Sequence, residues 1–507
     1  MKPPQHDQPF FGHPGGLRTL FFTEFWERFS YYGMRALLIL FMTAPVVAGG
    51  LGLDTAQAGM IYGTYTSLVY LLALPGGWFA DRYIGPRKAT LYGGIAIMCG
   101  HISLAIPGLA TFYFGLGLIV IGTGLLKPNI SLMVGQLYAP DDRRRDAGFS
   151  LYYLGINLGA FLAPLVTGWL AQSEGFKATL TGWGIAPETS WHWGFAAAAV
   201  GMAIGLVWYL KGWRDMGEQE WRPPHVENAA AEARLRTRLY LLVTVIAAAL
   251  IVIAGLASSG RISATTVTTG FGYFLLMVTL GFFIWLFRAG AWTATERKQL
   301  IAIAVLFVGA TVFWSLFEQA GSTLNLFAQR STDNEIFGFS FPSSWWQSLN
   351  SLYIILFAPV LAWLWLKLGS KDPSSPVKFT IGLFFAAAGF GVLAVTAQLA
   401  ETGMRVSPLW LVVVYLLHTL GELCLSPIGL SAMTKLAPAR IAGLMMGAWF
   451  LATSVGNYLG GQVASLYESF ALPTLFAAIT VVALLATVAM ALLVRPLARM
   501  LVYKPLN

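Results

Sequence analysis

The chain has 507 residues, of which 57% are hydrophobic and only 11% are charged, and its mean hydropathy is +0.66. Soluble domains carry about 25% charged residues, so this composition excludes a soluble protein and indicates one that crosses a membrane many times. The net charge of +9 does not indicate a nucleic-acid partner, because the basic residues are sorted by membrane side, as described below.

The N-terminal stretch, residues 1–16, is polar and contains four prolines. The apolar run that follows is longer than the hydrophobic part of a signal peptide, so we expect no cleaved signal. The two cysteines, Cys99 and Cys424, lie inside apolar runs and predict no disulfide. We also expect no metal site, because no two of the six histidines are spaced as metal ligands.

Fourteen apolar runs, each long enough to cross a hydrocarbon core of about 30 Å, follow one another along the chain. They are residues 17–43, 56–80, 88–107, 111–135, 147–172, 191–212, 237–258, 266–288, 299–328, 343–367, 377–400, 407–434, 441–467 and 471–495. Most of the 32 Lys and Arg residues lie at the two termini and in alternate loops, and the opposite loops hold only Lys177, Arg261, Arg330 and Arg405. By the positive-inside rule, both termini are predicted to be cytoplasmic.

The longest hydrophilic break, residues 213–236, is followed by two runs without an embedded acid or base. We interpret these two runs as a transmembrane hairpin inserted between two six-helix bundles, and as peripheral to the mechanism. The predicted fold is an all-α membrane protein with the two-half transporter architecture. Its predicted units are a cytoplasmic N-terminal tail (1–16), an N-terminal bundle (17–212), a cytoplasmic linker (213–236), the inserted hairpin (237–288), a C-terminal bundle (289–495) and a cytoplasmic tail (496–507).

The first apolar run carries Glu24, Glu27, Arg28 and Arg35, which at helical periodicity share one sector of the helix with Tyr31. One charge at the centre of a membrane costs about 3 kcal/mol on insertion scales, so four charges cannot face lipid. We expect them to line a protein-enclosed or wet interior and to meet partners from other helices.

The loop after the second run contains Gly77, Asp81, Arg82 and Gly85, and it resembles the loop signature of the major facilitator superfamily. The glycines would allow a close helix approach and a tight turn. Asp81 and the basic cluster would form a conformational latch between helix ends. The alternative is an ordinary loop that is positively charged because it is cytoplasmic.

Embedded polar residues recur in later runs. Lys127 precedes Pro128 deep in the fourth run, where a cavity role is favoured over a lysine that extends to the membrane surface. Asn157 is expected either to bind substrate or to bridge two helices. The second half contains Glu318 isolated in an apolar helix one turn after Trp314, Asn350, Glu422 five residues before Pro427, and Trp449. We interpret Trp314 and Trp449 as pocket walls.

All seven embedded ionisable residues fall on four runs, those that line the cavity of a two-half transporter. The N-terminal half offers Arg35 and Lys127, and the C-terminal half offers Glu318 and Glu422. This bipolar cavity would suit a zwitterion whose carboxylate meets the bases and whose ammonium meets Glu422. In the empty protein the pairs Arg35–Glu318 and Lys127–Glu422 would close one side, and protonation of an acid would release its base. The alternative is a set of static ion pairs.

Several motifs resemble the proton-dependent oligopeptide transporter (POT) family of the major facilitator superfamily. They are E-F-W-E-R from Glu24, F-S-Y-Y-G-M-R from Phe29, D-R-Y-I-G from Asp81, Y-Y-L-G-I-N-L-G-A from Tyr152 and G-E-L-C-L-S-P-I-G-L-S from Gly421. Together they span nearly the whole chain, and Tyr152 stands where the family often has Phe.

The resemblance implies uptake of di- and tripeptides driven by the proton gradient across a bacterial inner membrane. It implies a proton-coupling group of Glu24, Glu27 and Arg28, and a proton site at Glu318 coupled to Arg35. It places Arg35 and Lys127 near the peptide carboxylate, and Glu422, Asn157 and Asn350 near its amino terminus and backbone. It assigns the side-chain pockets to Tyr31, Tyr32, Tyr70, Trp314 and Trp449. The proton would be the coupling ion, with no other cofactor, and the protein is expected to be a monomer.

Three other classes fit less well. A drug or metabolite exporter predicts a mainly apolar cavity with one or two acids. A membrane-embedded enzyme requires a metal cluster or a nucleophile with its base. A channel requires a polar filter loop, and the sequence has none that we recognise. His418, one turn before Glu422, is expected to be a buried, hydrogen-bonded histidine, although tuning of Glu422 is the alternative.

Overall fold

The structure is a computed structural model, and it describes residues 10–139, 141–216, 261–438 and 444–500, with isolated positions between 233 and 256 and residue 441. The predicted first helix of the inserted hairpin lies largely outside the described residues. The same holds for most of the predicted linker and for parts of the two predicted tails.

The described chain is almost entirely helical, as predicted. The helices are α1 Gly15–Thr43, α2 Thr55–Leu71, α3 Ala73–Phe79, α4 Pro86–Leu104, α5 Leu109–Gln136, α6 Arg145–Gln172, α7 Glu174–Gly182, α8 Ser190–Lys211, α9 Ala264–Arg288, α10 Ala294–Phe317, α11 Thr323–Arg330, α12 Ser348–Leu368, α13 Ser375–Ala400, α14 Leu409–Leu436, α15 Met445–Ala464 and α16 Leu472–Met500. An antiparallel hairpin pairs β1 Glu335–Ile336 with β2 Phe339–Ser340.

Nine of the described helical segments are long and apolar enough to cross a membrane. Helix α1 is not among them, because its charges interrupt every stretch of that length. Glu24, Glu27, Arg28 and Arg35 are nevertheless buried inside the protein, as are most of the apolar residues of α1, so this helix is surrounded by other helices. This is the arrangement that the cost of a lipid-facing charge predicts.

The run 299–328 is not one continuous helix, which corrects the prediction for Glu318. Helix α10 ends at Phe317, a single 3₁₀ turn covers Glu318–Gly321, and α11 begins at Thr323. The segment E-Q-A-G-S-T explains the break, because glycine is a poor helix former and Ser and Thr hydrogen-bond locally outside helices. Glu318 therefore lies at a helix end.

The helices pack into an N-terminal and a C-terminal group. In the first group α1 packs against α6 and α8, and α4 packs against α5; in the second, α13 packs against α14 and α16, and α10 packs against α15. The groups meet where α2 contacts α15 and where α6 contacts α12. We call the face with the α1–α2 connection, residues 44–54, the distal face, and the face where α1 begins the proximal face.

The contact between α2 and α15, which we call the distal seam, brings the two backbones together. A Cβ atom on Gly461 would overlap the Cα of Gly63, so only glycine permits this approach. Nearby, the hydroxyls of Ser67 and Ser454 are hydrogen-bonded at 2.7 Å. The described residues of the two groups are therefore tightly closed against each other on the distal half.

The distal seam ends in a small polar cluster. The Glu468 Oε1 accepts hydrogen bonds from Thr55 Oγ1 and from Arg330 Nη1, both at 2.6 Å, and Arg330 Nη2 also donates to the Thr55 hydroxyl at 3.1 Å. Thr55 belongs to the first group of helices and the other two residues to the second. The cluster thus links the groups at the distal face.

The predicted latch loop shows one difference from expectation. The close helix approach occurs at Gly76, where a Cβ would overlap the carbonyl of Gly124, whereas a Cβ on Gly77 would make only an ordinary contact with Pro128 at 3.4 Å. Gly85 has φ +78°, which fits the predicted tight turn. Neither Asp81 nor Arg82 forms an ion pair with a residue that the structure describes, and Arg82 instead stacks on the Trp78 ring.

The inserted helix α9 touches both sides of the distal seam. Thr268 donates its hydroxyl to the Met60 sulfur on α2 at 3.8 Å, and its carbonyl accepts a hydrogen bond from the Tyr458 hydroxyl on α15 at 3.2 Å. The distal end of α9 therefore contacts both groups of helices, and the expectation that the inserted hairpin is peripheral to the mechanism stays a prediction.

Candidate functional site

The first acid–base group is contained in two turns of α1. Arg28 Nη2 donates to Glu27 Oε1 at 2.7 Å, and Arg28 Nε contacts Glu27 Oε2 and lies 3.1 Å from Glu24 Oε1. All three side chains are almost completely buried. The group is close to α6 because glycines on that helix, such as Gly159, leave room for the α1 backbone. The structure brings together Glu24, Glu27 and Arg28, as the sequence predicts.

The second acid–base group crosses between the bundles. Arg35 Nη2 lies 2.7 Å from Glu318 Oε2, and both residues are only 4% exposed. Arg35 Nε donates a second hydrogen bond to the Tyr62 hydroxyl at 2.7 Å. The Tyr32 ring lies 5.6 Å from the guanidinium carbon. The predicted pair Arg35–Glu318 is thus present in the structure.

Glu422 is bound within its own bundle. Asn350 Nδ2 donates to Glu422 Oε2 at 3.0 Å and to the Thr419 hydroxyl at 3.1 Å. Asn157, on the opposite bundle, uses its amide to donate to the Tyr153 carbonyl one turn earlier, at 2.9 Å.

Lys127 does not pair with Glu422 in this structure. Its Nζ lies 3.9 Å from the centre of the Tyr70 ring and 5.9 Å from that of Phe450 on α15. No carboxylate of the described residues forms an ion pair with it. Cation–π contact with the two rings takes the place of the predicted salt bridge.

A cavity of about 140 Å³ lies between the two bundles. Eight of the predicted site residues line it, from both bundles: Tyr32, Arg35, Tyr70, Asn157, Trp314, Glu318, Asn350 and Glu422. Its wall is positive at Arg35 and negative at Glu318 and Glu422. The bipolar cavity that the sequence predicts is therefore present, with Arg35 as its basic group.

Three predicted pocket or binding residues do not line this cavity. Lys127 lies over Tyr70, as described above. Trp449 packs edge to face against Trp314, with ring centres 6.4 Å apart, and so supports the cavity wall from behind. Tyr31 is buried, and its hydroxyl has no hydrogen-bond partner among the described residues.

The cavity also contains residues that the sequence did not single out, among them Tyr153, Gln347 and Ser351. His418 lines it too and is buried as expected, but neither ring nitrogen forms a well-aligned hydrogen bond with a described residue. Tyr62, the second hydrogen-bond partner of Arg35, was also not identified from the sequence. One tyrosine among several in an apolar run gives no sign that its hydroxyl meets an arginine.

Two helical bundles with a charged cavity between them define a transporter of the major facilitator type. Such a protein moves its ligand by exposing one central site to each side of the membrane in turn. The described residues contain no cluster of three or more His, Cys, Asp or Glu side chains that could hold a metal ion.

The comparisons with known proteins agree with this class. Residues 87–482 match the family model described as the POT family. A peptide transporter of Yersinia enterocolitica is 44% identical, over 93% of this chain and 92% of that protein. A di-/tripeptide transporter of Lactococcus lactis subsp. cremoris is 38% identical, over 94% of this chain and 93% of that protein. The chain belongs to the POT family of membrane transporters, and it is not an enzyme.

Solved structures show the same relationship. A crystal structure of a POT peptide transporter in complex with sulfate superimposes with a TM-score of 0.88 at 42% identity, and the match covers 98% of this chain and 97% of that one. A POT family transporter in complex with 5-aminolevulinic acid gives a TM-score of 0.87 at 34% identity, with 97% and 98% covered.

Proposed function

We propose that this protein imports di- and tripeptides together with protons across a bacterial inner membrane by alternating access. The observation that carries the proposal is the Arg35–Glu318 pair, which joins the bundles at the edge of a cavity whose far side holds Glu422. The proton is the proposed coupling ion, with no other cofactor. The proposed transport unit is a monomer.

The charge arrangement supports a zwitterionic ligand. A peptide carboxylate would approach Arg35, while Lys127 would leave the Tyr70 ring to join it. The peptide ammonium would approach Glu422, with Asn350 and Asn157 near its backbone. The relatives named above transport peptides, and one structural neighbour binds 5-aminolevulinic acid, which also carries an amine and a carboxylate at opposite ends.

Glu318 is the proposed switch between the two conformations. A proton on its carboxylate removes the charge that attracts Arg35, and the bundles can then separate on the distal side. Leaving a buried arginine unpaired costs about 3–5 kcal/mol, so a peptide carboxylate that replaces Glu318 would favour the joint binding of proton and peptide. Glu24, Glu27 and Arg28 form a second proposed proton site.

The distal face is proposed to be extracytoplasmic and both termini cytoplasmic, as the distribution of basic residues predicts. With its distal seam closed, the structure then corresponds to a conformation that does not open outward. The loop with Gly77, Asp81, Arg82 and Gly85 lies on the opposite, proximal face, where we propose that its latch acts in the outward-open conformation.

Reconstituted uptake of labelled dialanine under an inward proton gradient tests the proposal. The wild-type protein should accumulate the dipeptide. Unlabelled dialanine should compete with this uptake, whereas dialanine acetylated at its amino terminus should not. In Glu422→Gln, free and acetylated dialanine should compete about equally, because the ammonium loses its partner. Glu401→Gln, which removes an exposed carboxylate, is the matched control and should behave as the wild type. Wild-type protein without gradient-driven accumulation would contradict the proposal.

A further inference from the structure

The Arg35 guanidinium is held at two points by two different bundles. Its Nη2 meets Glu318, and its Nε donates to the hydroxyl of Tyr62 at 2.7 Å. Tyr62 lies on α2, in the same bundle as Arg35, and is 2% exposed. The contact with Tyr62 therefore does not depend on the position of the other bundle, whereas the contact with Glu318 does.

The geometry of the guanidinium makes this difference important. The group is planar and carries five N–H donors in a fixed arrangement, so one hydrogen bond at Nε constrains the direction of the others. With Nε on Tyr62, the two terminal nitrogens face Glu318 and the cavity. A peptide carboxylate can accept two parallel hydrogen bonds from them only if this orientation persists after Glu318 leaves.

The helix break at Glu318–Gly321 makes room for the contact. A Cβ atom on Gly321 would overlap the Tyr62 hydroxyl and lie 3.0 Å from Arg35 Nε. A continuous helix with a larger residue at this position would displace the hydroxyl from the guanidinium. The break thus serves two residues at once, because it ends α10 at Glu318 and opens space for Tyr62 beside Arg35.

We propose that Tyr62, accommodated by Gly321, is a positioning residue of the substrate site. Its hydroxyl keeps Arg35 oriented toward the cavity when Glu318 is protonated, so that the guanidinium receives the peptide carboxylate. This inference rests on the proposed function, and it concerns the carboxylate end of the ligand only.

The test is Tyr62→Phe, with Tyr65→Phe as the matched control. Tyr65 lies one turn further along α2 and is 3% exposed, and its hydroxyl has no hydrogen-bond partner among the described residues. In exchange of labelled dialanine at equal pH on both sides, Tyr62→Phe should raise KM about tenfold, the size expected for losing a hydrogen bond to a charged group. The maximal rate should stay within about twofold. Tyr65→Phe should resemble the wild type.

A second readout separates positioning from a structural role. In the wild type, free dialanine should inhibit uptake of labelled dialanine far better than dialanine amide does. This preference should fall in Tyr62→Phe, because a misoriented guanidinium no longer distinguishes the free carboxylate from the amide. Gly321→Ala should cause the same loss of preference for the free carboxylate. The double variant Tyr62→Phe/Gly321→Ala should have the same KM as Gly321→Ala alone, since both changes remove the same contact between Tyr62 and Arg35.

The outcomes are distinguishable. Tyr62→Phe with a wild-type KM and a wild-type preference for the free carboxylate would overturn the inference and leave the proposed function intact. The inference would also be overturned if the increases in KM caused by Tyr62→Phe and Gly321→Ala added up in the double variant. Wild-type protein that does not exchange dialanine at all would overturn the proposed function, and this inference with it.

Discussion

The two acid–base groups of α1 are built from the same residue types but connect to the rest of the molecule in different ways. Arg28 pairs with both Glu24 and Glu27 within two turns of a single helix. Arg35, two turns further on, pairs with Glu318 from the other bundle and donates a hydrogen bond to Tyr62. Because its ion pairs lie within one helix, we expect the first group to keep its geometry when the bundles rearrange. The second exists only when the bundles are close on the distal half.

This difference separates two roles that one charged helix could serve. A group that is closed within a helix can bind or release a proton without moving the bundles. A pair that crosses the bundles links its protonation to their separation, because loss of one partner leaves the other buried and unpaired.

Glu318→Gln should reduce gradient-driven dialanine accumulation about a hundredfold. The reason is that Arg35 loses the one carboxylate with which it forms an ion pair among the described residues. Exchange of labelled dialanine at equal pH should remain, since Arg35 is still free to bind the carboxylate. Both are measured in the same proteoliposomes. Accumulation at the wild-type level in Glu318→Gln would remove this residue from proton coupling.

Glu27→Gln should reduce gradient-driven accumulation about tenfold and leave the distal seam closed, because the pair it breaks lies within α1. The seam is measured by cross-linking Ser67→Cys to Ser454→Cys, whose hydroxyls are 2.7 Å apart in the native chain. Glu318→Gln in the same background should lower the cross-linked fraction. Equal cross-linking losses in the two variants would show that the two groups do not differ as described.

Gly461→Ala should reduce uptake about fivefold by holding the distal seam apart, because its Cβ would overlap the backbone at Gly63. Gly270→Ala on α9 is the control, since a Cβ there meets no atom within 4 Å. Reaction of a water-soluble thiol reagent at Ser67→Cys measures the opening. Equal reactivity in the two variants would mean that the close backbone approach does not determine closure.

The smallest effect is expected at the cluster of Thr55, Arg330 and Glu468. Hydrogen bonds from Thr55 and Arg330 lower the pKa of Glu468 below its ordinary value in the closed conformation. The contribution of Glu468 to closure is therefore fully present above its ordinary pKa and is lost as the distal pH falls through the lowered value. Because the carboxylate is partly exposed, the contribution is less than about 1 kcal/mol.

Glu468→Gln should remove this acid-dependent part of distal opening and leave opening at neutral pH nearly unchanged. Opening is measured by thiol reactivity at Ser67→Cys between pH 3 and 7, a window of about four units around the ordinary pKa of a glutamate. An unchanged acid dependence in Glu468→Gln would assign it to another group.

Much of this site follows from the sequence because an embedded charge is costly and therefore informative. The cost predicts that Glu24, Glu27, Arg28, Arg35 and Glu318 face the interior, and the structure buries all five. The restriction of the seven embedded ionisable residues to four runs predicts which helices line the cavity. Opposite charges on the two halves predicted two pairs, of which the structure contains Arg35–Glu318.

The remaining features depend on how helices distant in sequence are rotated against each other, which composition does not determine. Lys127 was expected to meet an acid, but two aromatic rings suffice to hold it. Glu422 was expected to pair with Lys127, but it accepts a hydrogen bond from Asn350 instead. The break after Phe317 and the hydrogen bond from Arg35 to Tyr62 have only weak local signals, a glycine and one tyrosine among several.

The most direct test of the central claim is the distance between spin labels at Val47→Cys and Met404→Cys, which lie at exposed positions on the distal face of the two halves. The labels are placed in a background with Cys99 and Cys424 replaced by serine, and the distance is recorded without peptide at high and low pH. The account predicts that a longer distance becomes populated at low pH in the wild type, and that Glu318→Gln shows the same distances at both values. A pH-dependent change that persists unaltered in Glu318→Gln would contradict the claim that protonation of Glu318 releases the bundles.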